Sequence, residues 1–291
     1  MLYFIAISVV AFALNGCCTR FFQLHFADQK RYLPLYQTLF CLIASVGFLC
    51  CSQFSVPVRA DTVVYGILGG LLFFGASFFG AKGMQTGSMA LASIITNMSL
   101  VLPLIYSVLL LNEAFTYFHL IGGLLFLCTF ALSASGTKQK SNGGVIWLIF
   151  VVLAFFSNGM NAVVTKHYVL NALVPQNNTF MAITYFTASL AFLVTFLIGN
   201  RHENAPAKPC GYFARLLLLS TVSAAGSFGG NLLLTFLSDK VNGAILYPCV
   251  NGGLCLLLTV ASCLLFRERL TRKKAVAIVF GCAAIIILNL S

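Results

Sequence analysis

The sequence predicts an all-α integral membrane protein with ten transmembrane helices, arranged as two inverted five-helix repeats. Three observations lead to this fold class. The chain of 291 residues is 60% hydrophobic and only 8% charged, whereas soluble domains carry roughly 25% charged residues. Apolar runs long enough to cross about 30 Å of hydrocarbon recur along the whole chain. Finally, short polar interruptions recur in the same order in its two halves.

Each predicted span is an apolar run near the length of about 20 residues that a helix needs to cross the bilayer. The first run has no basic leader and no small-residue cleavage motif, so we expect a retained helix and not a removed signal peptide. The spans leave only short connections and no room for a soluble domain. The predicted spans are residues 2–22, 34–52, 62–82, 89–111, 117–134, 145–166, 179–199, 213–237, 243–266 and 273–290.

Lysine and arginine are distributed unequally between the two sides of the membrane that these spans define. Fourteen of the 17 lysines and arginines lie in or beside the connections that follow odd-numbered spans, and the other three are Arg59, Lys166 and Lys240. The positive-inside rule places the richer side in the cytoplasm and both termini outside. The net charge of +11 therefore reflects membrane topology, and we expect no nucleic-acid partner. We expect a multi-pass protein of the cell (plasma or inner) membrane.

One pattern, Leu-Leu-x-x-Glu-x-x-Thr, interrupts the hydrophobicity twice, as “LLLNEAFT” and “LLFRERLT”. Glu113 thereby matches Glu268, and Thr116 matches Thr271. Each pattern lies where one predicted helix stops and the next begins, so the threonines are placed to cap helices and the carboxylates lie near positive helix ends. The alternative is a role for these four residues in gating or coupling.

The matching interruptions end the fourth span of each half and divide the chain into two repeats. The first repeat covers 1–136, the second covers 145–291, and 137–144 connects them. The first spans also correspond, since “FALNGCC” has its counterpart in “FFSNGMN”. Because five is odd, the second repeat must enter the membrane from the opposite face. Inverted repeats of this kind are typical of secondary transporters, although duplication of a merely stable bundle is the alternative.

The terminal helix pairs “LLLNEAFTYFHLIGGLLFLCTFAL” and “LLFRERLTRKKAVAIVFGCAAIIIL”, together with Pro103 in “NMSLVLPLIYSVLLLNE”, resemble the drug/metabolite transporter superfamily, EamA type. The resemblance implies a ten-helix transporter fold, and many of its members have cytoplasmic termini. The sequence departs from the pattern in the ninth span, where Leu258 stands at the place of Pro103 and Pro248 lies earlier. Pro248 is expected to kink that span or to break it.

Polar side chains at mid-depth are the candidate substrate contacts, because such groups are costly in lipid and usually face a cavity or the bundle interior. The alternative is hydrogen bonding between helices. Replacing Asn15, Asn97, Asn158 or Asn251 by leucine is expected to abolish transport. The candidates are Asn15 and Thr19 on span 1, Ser93 and Asn97 on span 4, Asn158 and Asn161 with Thr165 on span 6, Asn231 with Ser227 on span 8, and Tyr247 and Asn251 on span 9.

Three basic residues, Arg20, Lys82 and Lys166, come closest to membrane depth. They either extend to the interface or form a charged rim that attracts a carboxylate or phosphate. No acidic residue falls in the middle of a predicted span, which disfavours exchange of drug cations for protons. No H-E-x-x-H pair or acid dyad occurs in the spans, so we expect neither an enzyme nor a metal or cofactor.

These observations predict a secondary transporter of small metabolites that works by alternating access. A neutral, amide-rich pocket with a basic rim suits amino acids and other zwitterionic or anionic solutes. A multidrug exporter of the same superfamily and, from a different class, an intramembrane enzyme are the alternatives. The expected partners are a small-molecule substrate and membrane lipid, and the protein is expected to be a monomer or homodimer. The direction of flux, import or efflux, is left open.

Overall fold

A computed structural model of the chain contains only helices as regular structure among the residues that it describes. Those residues are 2–26, 29–52, 58–86, 92, 95–96, 98–110, 116–134, 144–172, 176–200, 210–241, 243–265 and 272–288. Apart from Gly144, the predicted connection 137–144 lies outside them.

The described helices follow the predicted spans closely in order and position. They are α1 (Leu2–His25), α2 (Gln29–Cys51), α3 (Ala60–Thr86), α4 (Val101–Leu110) preceded by a 3₁₀ turn (Met98–Leu100), α5 (Tyr117–Ala134), α6 (Val145–Asn171), α7 (Asn177–Asn200), α8 (Cys210–Ser238), α9 (Gly243–Leu265) and α10 (Arg272–Leu288).

Within the described residues, six helices are both long and apolar enough to cross a membrane: α1, α2, α3, α6, α7 and α8. Shorter apolar stretches occur in α4, in α5 (Leu120–Thr129) and in α9 (Ile245–Leu258). Large apolar side chains cover the outer surface, as Leu218 does with 68% of its area exposed. Such a surface is stable when lipid covers it and costly in water. The chain is therefore a multi-pass membrane protein.

The fourth predicted span is not one continuous α-helix, because a 3₁₀ turn interrupts it at Met98–Leu100. Pro103 accounts for the position of this turn, since proline has no N–H to donate to the carbonyl four residues earlier, that of Ser99. The other proline under consideration behaves differently, because α9 runs through Pro248 without interruption. A helix break was considered at Pro248, but the interruption of helical structure lies instead at Met98–Leu100, in the first half of the chain.

Helices from the two halves of the chain interleave. The most extensive contacts join α2 to α7, α3 to α6 and α1 to α8. Further contacts join α5 to α10, α3 to α7, α2 to α8, α1 to α9 and α4 to both α6 and α9. Aromatic residues of α2 and α7 fill the centre of the largest apolar cluster, among them Phe40, Phe48 and Phe180.

Two glycines allow neighbouring helices to approach closely. A Cβ built on Gly75 of α3 would lie 2.8 Å from the hydroxyl oxygen of Ser157 in α6. A Cβ built on Gly226 of α8 would lie 2.6 Å from the backbone oxygen of Ala11 in α1. At Gly226 the neighbouring atom belongs to the backbone, so no larger residue fits without movement of a helix. At Gly75 the side chain of Ser157 would have to shift, and both glycines allow their helix pair to lie close together.

Candidate functional site

A polar cavity lies inside the bundle, between α6, α8, α9 and the 3₁₀ turn, with α1 and α4 closing its sides. Its volume is about 150 Å³, which is enough to hold several water molecules or a small solute. Its polar wall consists of Ser99, Asn158, Asn161, Thr165, Asn231, Tyr247 and Asn251, and its apolar wall includes Phe12, Pro103, Leu234, Val250 and Leu254.

Three of these polar residues come from one face of α6. Asn158, Asn161 and Thr165 are spaced by three and four residues, which places them one above another on a helix. The side-chain amide of Asn158 donates a hydrogen bond of 2.7 Å to the hydroxyl of Ser99. The hydroxyl of Thr165 donates to the carbonyl of Asn161 in its own helix at 2.9 Å.

Ser99 was not among the candidates, although it is only 1% exposed and lines the cavity. Its carbonyl oxygen would lie 2.6 Å from a Cβ on Gly159, so the glycine makes room for the backbone of the 3₁₀ turn. The sequence contained a signal for this residue: Pro103 follows it by four positions and therefore leaves its carbonyl without a helical donor.

The second half of the cavity wall comes from α9. The hydroxyl of Tyr247 donates to the carbonyl of Ala162 at 3.3 Å and so ties α9 to α6. The amide nitrogen of Asn251, another residue of the cavity wall, donates to the carbonyl of Tyr247 at 2.9 Å, and its amide oxygen has no partner among the described residues. The four-residue spacing of these two residues is the one that the sequence predicted to share a face.

Asn231 reaches the cavity from α8, but its amide nitrogen is engaged elsewhere. It donates to the hydroxyl of Tyr185 at 2.8 Å and to the carbonyl of Ser227 at 2.9 Å. The hydroxyls of Tyr185 and Ser227 lie 2.6 Å apart. This buried network joins α7 to α8. Tyr185 was not predicted, because one tyrosine in an apolar span has no sequence signal that separates it from core packing.

Asn15 and Thr19 do not line the cavity, although the sequence placed them among the substrate contacts. The amide oxygen of Asn15 accepts a hydrogen bond of 2.5 Å from the hydroxyl of Ser223 in α8, and Thr19 lies 3.5 Å from the same oxygen. The hydroxyl of Thr19 is also 3.4 Å from that of Tyr36 in α2. These side chains connect three helices, as the packing alternative expected.

The three basic residues expected at the rim occupy different environments, and none lines the cavity. Lys82 is exposed, with its ammonium 5.9 Å from the ring centre of Phe78. Arg20 is half-buried on α1. Lys166, next in sequence to Thr165, is only 1% exposed.

Some predicted residues cannot be placed. Ser93, Asn97, Glu113, Glu268 and Thr271 lie outside the described residues. Thr116 is described and directly precedes α5, which is the position that a helix N-cap occupies. The capping role of the four turn residues stays a prediction.

Chemically, the cavity offers neutral hydrogen-bonding groups on an apolar background. The side chain of Asn161 has no hydrogen-bond partner within the described part of the chain, and Asn251 has a spare oxygen. No charged residue is among its described lining residues. Nor do three His, Cys, Asp or Glu side chains come together as metal ligands would, within the residues described. The arrangement can bind a small polar solute by hydrogen bonds.

Comparisons with known proteins agree with the helical membrane fold. Residues 1–135 match the model of the EamA-like transporter family, which is part of the drug/metabolite transporter superfamily, so the resemblance noted in the sequence is confirmed there. A crystal structure of another protein superimposes with a TM-score of 0.72 at 14% identity, covering 99% of this chain and 96% of that one. At this identity the likeness concerns the fold alone. No curated protein matches the sequence.

Proposed function

We propose, from the premise that residues 1–135 belong to the EamA-like transporter family, that this membrane protein is a secondary carrier of small polar metabolites. The observation that carries the proposal is the polar cavity inside the apolar bundle. Amide and hydroxyl groups from α6, α8 and α9 converge on it, although each costs free energy in a membrane interior. A role in holding a polar solute explains why they meet at one cavity.

The size of the cavity favours a metabolite over a drug. Its volume of about 150 Å³ is below the roughly 300–1,000 Å³ of pockets that hold drug-sized ligands. The cavity therefore suits a solute with a few non-hydrogen atoms, such as a small amino acid, and argues against the multidrug alternative. Its neutral described lining also favours a neutral or zwitterionic solute over a lipophilic cation.

We further infer two inverted repeats of five helices, α1–α5 and α6–α10. An inverted repeat relates α1 to α6, α2 to α7, α3 to α8, α4 to α9 and α5 to α10. Under this exchange the pair α3–α6 becomes α8–α1, and the pair α3–α7 becomes α8–α2. All four of these pairs are in contact. The pairs α2–α7, α4–α9 and α5–α10 map onto themselves. Gly75 and Gly226 support the same symmetry, since each makes the close approach of an equivalent helix pair.

Alternating access follows from this symmetry as a mechanism. Related halves can exchange conformations, so that a cavity between them opens to one side of the membrane and then to the other. The cavity has walls from both halves, with Ser99 and Pro103 from the first and the α6 and α9 residues from the second. A relative movement of the halves would therefore change access to the bound solute.

Thermal-shift measurements on detergent-purified protein test the proposal. A solute that binds the native state raises apparent stability by RT ln(1 + [L]/Kd), about 2.7 kcal/mol at a hundredfold excess over Kd. We expect a small neutral or zwitterionic metabolite to raise the midpoint of the wild type and to lose this effect in Asn251→Leu. If no metabolite in a broad panel shifts the midpoint, or if the variant responds like the wild type, the proposed site is wrong.

A further inference from the structure

A second cavity, separate from the central one, lies where α2 and α8 end and α7 begins. Its volume is about 490 Å³. Its lining includes the apolar residues Phe48, Met181 and Leu232 and the polar residues Asn177, Thr179 and Thr235. Neither the family match nor the proposed central site assigns any role to this cavity.

The first turn of α7 lines the cavity with Asn177, Asn178 and Thr179. The N–H of Phe180 donates to the carbonyl of Gln176 at 2.9 Å, which is the first hydrogen bond of this helix. The N–H groups of residues 177–179 precede it and have no earlier carbonyl within the helix to bind. Together with the helix dipole they carry a partial positive charge, which favours an anionic oxygen at this position.

This helix start is held in place by its neighbours. The N–H of Gln176 donates to the hydroxyl of Tyr168 at 3.0 Å, and its side-chain oxygen accepts from the N–H of Arg59 at 3.3 Å. The side-chain amide of Asn178 donates to the carbonyl of Cys51, the last residue of α2, at 3.0 Å. The donors at the start of α7 are therefore arranged before any ligand arrives.

An independent observation points to a ligand in this cavity. Thr235 of α8 lines the cavity and is only 4% exposed, and its hydroxyl oxygen has no hydrogen-bond partner within the described part of the chain. The side-chain oxygen of Asn177 is also buried and has no partner among the described residues. Buried polar groups nearly always have a partner, so two unpaired ones at the same cavity need an explanation. A polar group of a bound solute provides it.

The charges around the cavity are compatible with an anion. Lys240 lies at the same end of α8, with its ammonium 3.6 Å from the ring centre of Phe236, which lines the cavity. Of the described acids, Asp61 is paired with Arg59 at 3.3 Å and Asp239 is exposed in the turn after α8. No acidic side chain is among the described lining residues.

We propose that this cavity is a second binding site, selective for small solutes that join a carboxylate to an apolar body. The carboxylate meets the first-turn N–H groups of α7 and the hydroxyl of Thr235, and the apolar body lies against Phe48, Met181 and Leu232. Asn231, which lines the central cavity, is one helical turn from Thr235. This proximity suits a role as an entry site for the carrier, which rests on the proposed function.

Calorimetric titration of the full chain in lipid nanodiscs tests the site, with phenylacetate as the probe and phenylacetamide as its neutral counterpart. We expect saturable binding of phenylacetate and at least tenfold weaker binding of the amide. Thr235→Val should weaken phenylacetate binding on the order of tenfold or more, because a hydrogen bond to a charged group is lost. Thr221→Val is the control on the same helix, since its hydroxyl donates to the carbonyl of Leu217 at 2.9 Å.

Three results would overturn this inference. The first is no saturable binding of phenylacetate, and the second is equal binding by Thr235→Val and the wild type. The third is loss of binding in Asn161→Leu, because that would place phenylacetate in the central cavity. The unliganded Thr235→Val protein should also melt at a higher temperature than the wild type, because an unpaired buried hydroxyl is removed. A lower midpoint would mean that the hydroxyl has a protein partner. Retained phenylacetate binding without any solute transport would contradict the proposed function and leave the site standing.

Discussion

Leucine replacements of two asparagines separate solute binding from helix packing. Asn161 lines the central cavity, and its side chain has no partner among the described residues. Leucine is similar in size, so Asn161→Leu leaves the cavity filled and removes only hydrogen bonds to the solute. An unpaired polar group of the solute costs about 1–3 kcal/mol. At about 1.4 kcal/mol per factor of ten, transport kcat/KM should fall roughly 5- to 150-fold, with little change in stability.

Asn15→Leu should have the opposite profile. The substitution removes the amide oxygen that accepts a hydrogen bond of 2.5 Å from the hydroxyl of Ser223. The free energy of unfolding should fall by about 1–3 kcal/mol, whereas transport per folded molecule should be unchanged. Initial uptake rates in proteoliposomes, normalised to folded protein, and melting midpoints measure both effects. Equal loss of transport in the two variants, or normal transport by Asn161→Leu, would refute this division of roles.

Three further substitutions test how the helices around the cavity are positioned. Gly226→Ala should destabilise the protein by about 1–3 kcal/mol, because its Cβ would lie 2.6 Å from the backbone oxygen of Ala11. Gly80→Ala, whose Cβ would meet nothing within 4 Å, should stabilise it by about 0.5–1 kcal/mol; equal melting midpoints would contradict the close approach. Pro103→Ala should restore an N–H for the carbonyl of Ser99 and reduce uptake without lowering the midpoint. Unchanged uptake would mean that the 3₁₀ turn has no part in solute binding.

The sequence predicted the helical elements well, because lipid imposes a simple requirement on them. Every backbone polar group must be satisfied within the membrane, so long apolar runs become helices. The described helices accordingly lie close to the predicted spans. The exception is the fourth span, where Pro103 made an interruption foreseeable but the hydropathy pattern concealed it.

The candidate site was predicted only in part, because helical spacing determines which residues share a face and not where that face points. Asn158, Asn161 and Asn251 reach the cavity as the spacing suggested. Asn15 has a similar sequence context but turns toward α8, where Gly226 allows close contact. The rotation of a helix about its axis depends on such packing, which no single motif encodes.

The cavity near the start of α7 could not be found from the sequence at all. The sequence before this apolar span contains Gln176, Asn177 and Asn178, which are typical of an ordinary polar connection. Their significance depends on Thr235, which lies far along the chain and whose unpaired hydroxyl is visible only after folding. Long-range contacts of this kind leave no local pattern.

Counterflow in proteoliposomes tests most directly whether the central cavity carries solute across the membrane. Vesicles are loaded with unlabelled neutral and zwitterionic metabolites, and uptake of the isotopically labelled compounds is followed by mass spectrometry. We expect at least one solute to enter faster when the same solute is present inside, and we expect Asn161→Leu to weaken this stimulation in line with its lower transport kcat/KM. Uptake that never responds to internal solute, or stimulation that is undiminished in Asn161→Leu, would contradict a carrier that works through this cavity.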